Sequence, residues 1–168
     1  LNGGSYDSNY TVYLGGIAGR AYGEVSGCVN YGKVSATGDN YGGVGGIAGG
    51  SDSTITDSYN MGEISGPRRT AGIVGIQNAV GSSTSNCYNV GKISCTVSTA
   101  NPFGGAIAGS IASDKGATIG NISDCYYLEN SYYYKNAANV HNGGVGYGID
   151  GYCCETGDRL RIQGKENV

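Results

Sequence analysis

Tryptophan is absent from this chain, and phenylalanine, methionine and histidine occur once each, beside two prolines. A single histidine, His141, excludes any centre that needs two, such as H-E-x-x-H zinc hydrolysis. Charge is sparse: 14% of residues are charged and the formal net charge is −3. Binding to nucleic acid, which requires a basic face to neutralise phosphates, is not expected, and neither is a charged disordered tail. No stretch reaches the roughly 20 apolar residues that a membrane-spanning helix needs. The six cysteines include no C-x-x-C pair, so neither a metal nor a cofactor is expected. No segment carries apolar residues three and four apart in the manner of a helix. Leu1 rather than Met stands first and no signal peptide precedes it. The chain is therefore expected to be a piece of a longer one, with any export signal, anchor or catalytic domain lying outside it.

What the sequence has instead is glycine, 33 residues of 168, together with 15 tyrosines and a hydrophobic fraction of 39%. Glycine at this level ordinarily marks low complexity, but here it belongs to a repeat. One motif reads GGIAG at Gly15–Gly19 and Gly45–Gly49, AGIVG at Ala71–Gly75 and GAIAG at Gly105–Gly109. A second reads CVNYGKVS from Cys28, SYNMGEIS from Ser58, CYNVGKIS from Cys87 and a degenerate CYYLENS from Cys125. The two alternate along the chain.

Their spacing separates rigid from variable parts. From the Ile of the first motif to the Cys or Ser of the second there are 11 residues (Ile17 to Cys28), 11 (Ile47 to Ser58), 14 (Ile73 to Cys87) and 18 (Ile107 to Cys125). From that Cys or Ser to the next aliphatic residue there are always 6: Cys28 to Val34, Ser58 to Ile64, Cys87 to Ile93. A solenoid coil behaves this way, with strands stacked in register and insertions extruded at corners. The runs are short, rich in Ile, Val and Thr, and punctuated by Gly, Asn and Asp, as strands are. Gly27, Asp57, Asn86 and Asp124 each precede the Cys/Ser position, where a left-handed residue would turn the chain. Asn-x-Gly at Asn30–Gly32, Asn60–Gly62 and Asn89–Gly91 is a second turn signal. The expected fold is all-β: a single-stranded parallel β-helix of about four coils, three strands per coil, right-handed by the rule for parallel crossovers. The repeat domain covers residues 1–130, and 131–168 form an irregular C-terminal cap or tail.

Stacking in register implies columns. Ile17, Ile47, Ile73 and Ile107 form one, buried, and Val34, Ile64 and Ile93 another. Cys28, Ser58, Cys87 and Cys125 form an inward column of small residues. Reduced thiols acting as small hydrophobes are one reading and a Cys87–Cys125 disulfide the other. Cys95, Cys153 and Cys154 fall outside the pattern. Asn30, Asn60 and Asn89 should bond coil to coil through their amides. Alternation then sends Val29, Tyr59, Tyr88 and Tyr126 outward. These tyrosines either stack on a sugar or a partner or pack over one another along the ladder.

The GGIAG…CYN-x-G-K-I-S pattern resembles the GLUG-motif repeats of bacterial cell-surface proteins, including the non-catalytic stalks of IgA-cleaving metallopeptidases. The likeness covers roughly Leu14 to Leu128. It implies a secreted or surface-exposed β-helix acting as stalk, spacer or adhesin, with a host or cell-wall glycan or a surface protein as partner, and it carries no catalytic residues. The alternative is a glycan-binding or glycan-cleaving β-helix. Cleavage would need carboxylates clustered on one strand face, whereas Asp39, Asp52, Asp57, Glu63, Asp114 and Asp124 sit mostly at corners. Gly143–Asp150 is similar to a calcium-binding nonapeptide, but Gly148 stands where an Asp is needed. Solenoid ends carry unpaired backbone groups, so end-to-end self-association, chiefly through the N-terminal edge, is also expected.

Overall fold

A computed structural model describes residues 2–3, 11–38, 41–96, 104–111, 120–128 and 132–134. His141, Asp39, Asp114, Gly143–Asp150, Cys153 and Cys154 lie outside the described residues. Regular structure among those described is entirely β, and every strand pairing is parallel. No helix among them is long and apolar enough to cross a membrane.

Five sheets run along the stack. The first contains Val12–Gly15, Tyr41–Gly45, Thr70–Ala71 and Gly104–Gly105, and the second Ala18–Ala21, Ala48–Ser51, Val74–Gln77 and Ala108–Ser110. The third is built from Val25–Ser26, Thr54–Thr56, Ser82–Ser85 and Gly120–Ser123. Val29–Asn30, Tyr59–Asn60, Tyr88–Asn89 and Tyr126–Tyr127 make the fourth. The fifth carries Asn2–Gly3, Val34–Ala36, Ile64–Gly66, Ile93–Cys95 and Tyr132–Tyr134. The described residues thus form a parallel β-solenoid of four coils, preceded by one strand of another.

Each coil has five short strands where three were expected. The chain bends inside the GGIAG motif, at Gly16–Ile17 and Gly46–Ile47, so what reads as one strand becomes two at a corner. The corner between the third and fourth sheets is as anticipated. Gly27 has φ 64°, Asp57 51°, Asn86 51° and Asp124 50°, the left-handed region that glycine, Asn and Asp enter most readily.

Two packed clusters fill the interior. Ile47, Ile73 and Ile107 are fully buried with Ile55, Val74, Cys87 and Cys125, while Val34, Ile64 and Ile93 pack with Val44 and Ala36. Each fully buried Ile is worth about 1.5–3 kcal/mol relative to exposure. Ile17 departs from expectation. Its N–H donates to the Ile47 carbonyl at 3.1 Å, as Ile47 does to Ile73 at 3.0 Å, so it belongs to the column. Yet it is 47% exposed, because it is the first rung and has a coil on one side only among the described residues.

Close stacking accounts for much of the glycine. A Cβ on Gly46 would meet the Gly72 carbonyl oxygen and the Asn60 side chain. Backbone from the next coil and an amide from the same coil fill that space, so no larger residue fits.

Candidate functional site

The fourth sheet and the turn that follows it carry the features most distinctive of this chain, and they are best built from the asparagine outward. The Oδ1 atoms of Asn30, Asn60 and Asn89 accept the N–H of the glycine two residues on, at 3.1, 3.2 and 3.2 Å. Their Nδ2 atoms donate to that same glycine's carbonyl at 2.8, 2.9 and 3.0 Å. The turn is therefore held by the side chain rather than by positive φ. The second Nδ2 hydrogen runs along the stack, from Asn30 to Asn60 Oδ1 and from Asn60 to Asn89 Oδ1, both at 2.7 Å. All three side chains are buried, and the ladder ends where Tyr127 takes the asparagine position in the fourth coil.

Two residues earlier lies the Cys/Ser column, and the structure shows why the two types interchange. Sγ of Cys28, Oγ of Ser58 and Sγ of Cys87 each donate to the carbonyl two residues back, at 3.4, 2.8 and 3.1 Å. Cys125 turns instead to the Thr84 carbonyl of the preceding coil at 3.5 Å. The four described cysteines, Cys28, Cys87, Cys95 and Cys125, are free thiols. Cys28 is half-buried and the other three are buried. Contact with the Cys87 thiol, together with burial, pushes the Cys125 thiol above its ordinary pKa. Cys95, which the repeat left unplaced, pairs with Gly66 in the fifth sheet and donates to the Pro67 carbonyl at 3.0 Å.

Between these inward columns the tyrosines point out. Val29, Tyr59, Tyr88 and Tyr126 are in register. Tyr59 and Tyr88 stack face to face, with centroids 4.5 Å apart and planes 6° apart. A stacked pair buries its facing ring surfaces against itself and presents edges outward, so this stretch of the stripe packs along the ladder. Sequence reasoning missed Tyr31, one residue past the asparagine. It is 69% exposed, meets Tyr59 edge-on at 6.3 Å and 88°, and the two hydroxyls lie 3.0 Å apart. That contact raises the Tyr31 phenol above its ordinary pKa. Met61 and Leu128 hold the same position and are 49% and 42% exposed. The alternation that placed Tyr59 outward implies that the residue two further on is outward too, and this was the available signal.

A second aromatic group forms at the corner after the second sheet. Arg20 lies over the rings of Tyr13 and Tyr22, 5.2 and 4.9 Å from their centroids. Its Nη2 reaches both oxygens of Asp52, at 3.0 and 2.7 Å. Sequence alone does not reveal this cluster, because Asp52 reads there as a corner residue. Glu63 pairs with Lys33 of the preceding coil at 3.3 Å on the exposed surface. Asp57 and Asp124 occupy left-handed corners. Among the described residues, no three His, Cys, Asp or Glu side chains come together in a metal-holding group. Comparison with family models, with curated proteins and with solved structures returns no match.

Proposed function

We propose that the chain is a non-catalytic structural or adhesive module, a stalk or spacer of an exported bacterial cell-surface protein of the GLUG-motif kind. The observation that carries this reading is the continuity of the stack. Five parallel ladders pass from coil to coil, with one register shift between Val12 and Tyr13 in the first sheet, and a buried amide ladder joins the first three coils. Such an array is stiff along its axis and tolerates insertions at its corners, which suits a spacer. The acidic side chains of the described coils are used as corner residues or ion-pair partners, which supports a role without hydrolysis.

Glycan binding is the second reading, favoured by Tyr31 and by Tyr22, which is 73% exposed. Each offers an aromatic ring to solvent beside hydrogen-bonding groups. A glycan array probed with the purified chain, run beside a polysaccharide-hydrolysis assay, separates the readings. Silence in both supports the stalk. Binding to one sugar class that is lost in Tyr31→Ala or Tyr22→Ala supports the second reading. Hydrolysis lost in Asp52→Ala or Glu63→Ala would overturn the non-catalytic reading.

A further inference from the structure

Tyr59 and Tyr88 hold the same position in the second and third coils, directly opposite one another on parallel strands. Strands in a sheet lie about 4.8 Å apart, and the rings keep nearly that separation, with centroids 4.5 Å apart and planes 6° apart. The backbone fixes the pair. Tyr59 N–H donates to the Cys28 carbonyl and Tyr88 N–H to that of Ser58, at 2.9 and 3.2 Å. One residue on, Asn60 Nδ2 donates to Asn89 Oδ1 at 2.7 Å between buried side chains. The two Cα atoms are thereby held one coil spacing apart, and neither ring has to search for the other.

Parallel register has a chemical consequence. Both side chains leave their strands on the same side, so the two phenol hydroxyls lie at the same outer end of the pair. The ring carbons ortho to the hydroxyls then face each other at about the centroid separation. Those are carbons that carry the unpaired electron when a phenol loses one electron. The pair is open from outside, since Tyr88 is 36% exposed and Tyr59 is half-buried. The Tyr59 hydroxyl also lies 3.0 Å from that of Tyr31, a bonded neighbour through which its proton can leave.

Other reactive contacts lack this geometry. Tyr31 meets Tyr59 edge-on, at 88° and 6.3 Å. Tyr13 and Tyr22 each have the Arg20 guanidinium over the ring, at 5.2 and 4.9 Å, so a cation occupies the place a second ring would need. The Cys87 thiol, next to Tyr88 in the chain, is on the inner side, where it is buried and donates to the Ser85 carbonyl at 3.1 Å.

We propose that Tyr59 and Tyr88 are a site of oxidative cross-linking, joined as dityrosine by a haem peroxidase acting with hydrogen peroxide. Each ring gives up one electron and its phenolic proton. The two radicals couple between their ortho carbons, and the hydrogens displaced from those carbons restore the two hydroxyls. One carbon–carbon bond forms, two carbon–hydrogen bonds break, and one molecule of hydrogen peroxide is reduced to two of water. The product ties the second coil to the third by a covalent bond on the outer face, beside the buried amide ladder. Such a bond requires neither the spacer nor the glycan reading, since both rings belong to this chain.

The test uses the complete 168-residue chain, kept dilute to disfavour coupling between molecules and treated with a haem peroxidase and hydrogen peroxide. After reduction with dithiothreitol and denaturation, mass spectrometry is expected to show a monomer lighter by two hydrogens, with dityrosine fluorescence. Reduction is essential because a Cys87–Cys125 disulfide removes the same mass but is reversed by it. Peptide mapping should find Tyr59 joined to Tyr88 in at least about tenfold excess over any other dityrosine, the advantage of a fixed geometry. Tyr59→Phe and Tyr88→Phe each keep a ring in the stack and should abolish that product while circular dichroism stays unchanged. Absence of dityrosine from the monomer overturns the proposal. So does a principal cross-link between other tyrosines, or a loss of two hydrogens that reduction restores.

Discussion

Replacing Asn60 by alanine removes the middle rung of the amide ladder, and the structure allows the cost to be worked out. Four hydrogen bonds disappear: Nδ2 to the Gly62 carbonyl, Nδ2 to Asn89 Oδ1, Gly62 N–H to Oδ1 and Asn30 Nδ2 to Oδ1. Three of the abandoned partners keep another bond. Gly62 N–H retains the Asn30 carbonyl, Asn89 Oδ1 retains Gly91 N–H, and Asn30 Nδ2 retains the Gly32 carbonyl. The Gly62 carbonyl keeps none among the described bonds. One orphaned buried carbonyl costs about 1–3 kcal/mol, and each lost bond with an alternative costs about 1 kcal/mol. The sum is roughly 4–6 kcal/mol, comparable with the whole stability of many domains. At about 2–4 °C per kcal/mol for a chain of this size, Tm should fall by roughly 8–24 °C. Asn30→Ala is the internal control. It removes the first rung among the described residues, beside an exposed Gly32 where water can replace lost partners, so about 1–2 kcal/mol is expected. Urea and thermal unfolding followed by circular dichroism measure both. The reasoning fails if Asn60→Ala costs less than about 1 kcal/mol, or no more than Asn30→Ala. Asn60→Asp adds a pH signature. It places a carboxylate oxygen where an Nδ2 donor now meets two acceptors, the Gly62 carbonyl and Asn89 Oδ1. The charged form is disfavoured in the fold, so the folded-state pKa rises above that of the unfolded chain. The folded state then binds the proton more tightly, and stability is lost as pH rises through the folded-state value. Asn60→Asp should be less stable at pH 7 than at pH 4, relative to the parent chain at each pH.

Other perturbations test other parts of the stack. Ile47→Ala, in the buried column, should lose about 2–4 kcal/mol, whereas the half-exposed Ile17→Ala should lose under about 1 kcal/mol; equal losses in urea unfolding would contradict the exposure of Ile17. Gly46→Ala, whose Cβ meets the Gly72 carbonyl and the Asn60 side chain, should prevent folding or lower Tm sharply, while Gly23→Ala, with nothing within 4 Å, should stay within about 0.5 kcal/mol of the parent. Thiol titration of the native chain should find Cys28 reacting well before Cys87, Cys95 and Cys125, with those three released on denaturation; a Cys87–Cys125 crosslink found by mass spectrometry under non-reducing conditions would contradict free thiols in the column.

The repeat was legible in the sequence because a parallel stack in register makes neighbours of residues at one coil position. That constraint falls on single residue types at fixed offsets, so the Asn30, Asn60 and Asn89 column, the Cys28, Ser58 and Cys87 column and the left-handed Gly27, Asp57, Asn86 and Asp124 corner could all be aligned by counting. The fold class follows from those columns. Counting could not show how many corners a coil makes. The bend at Gly16–Ile17 lies within a motif that reads as one strand, and only the path of the backbone splits it. Nor could counting distinguish a middle rung from an end one: Ile17 and Ile47 are the same residue in the same motif, and exposure separates them because burial depends on a coil on each side. The outward faces were least legible. Tyr59 stacks on Tyr88, Tyr31 leans on Tyr59, and Arg20 lies over Tyr13 and Tyr22 while holding Asp52, because side chains from different coils and different corners converge. Periodicity determines which residues face out along one column. Which of them meet is decided by the tertiary structure, since the distances between columns depend on the angle at which each corner turns.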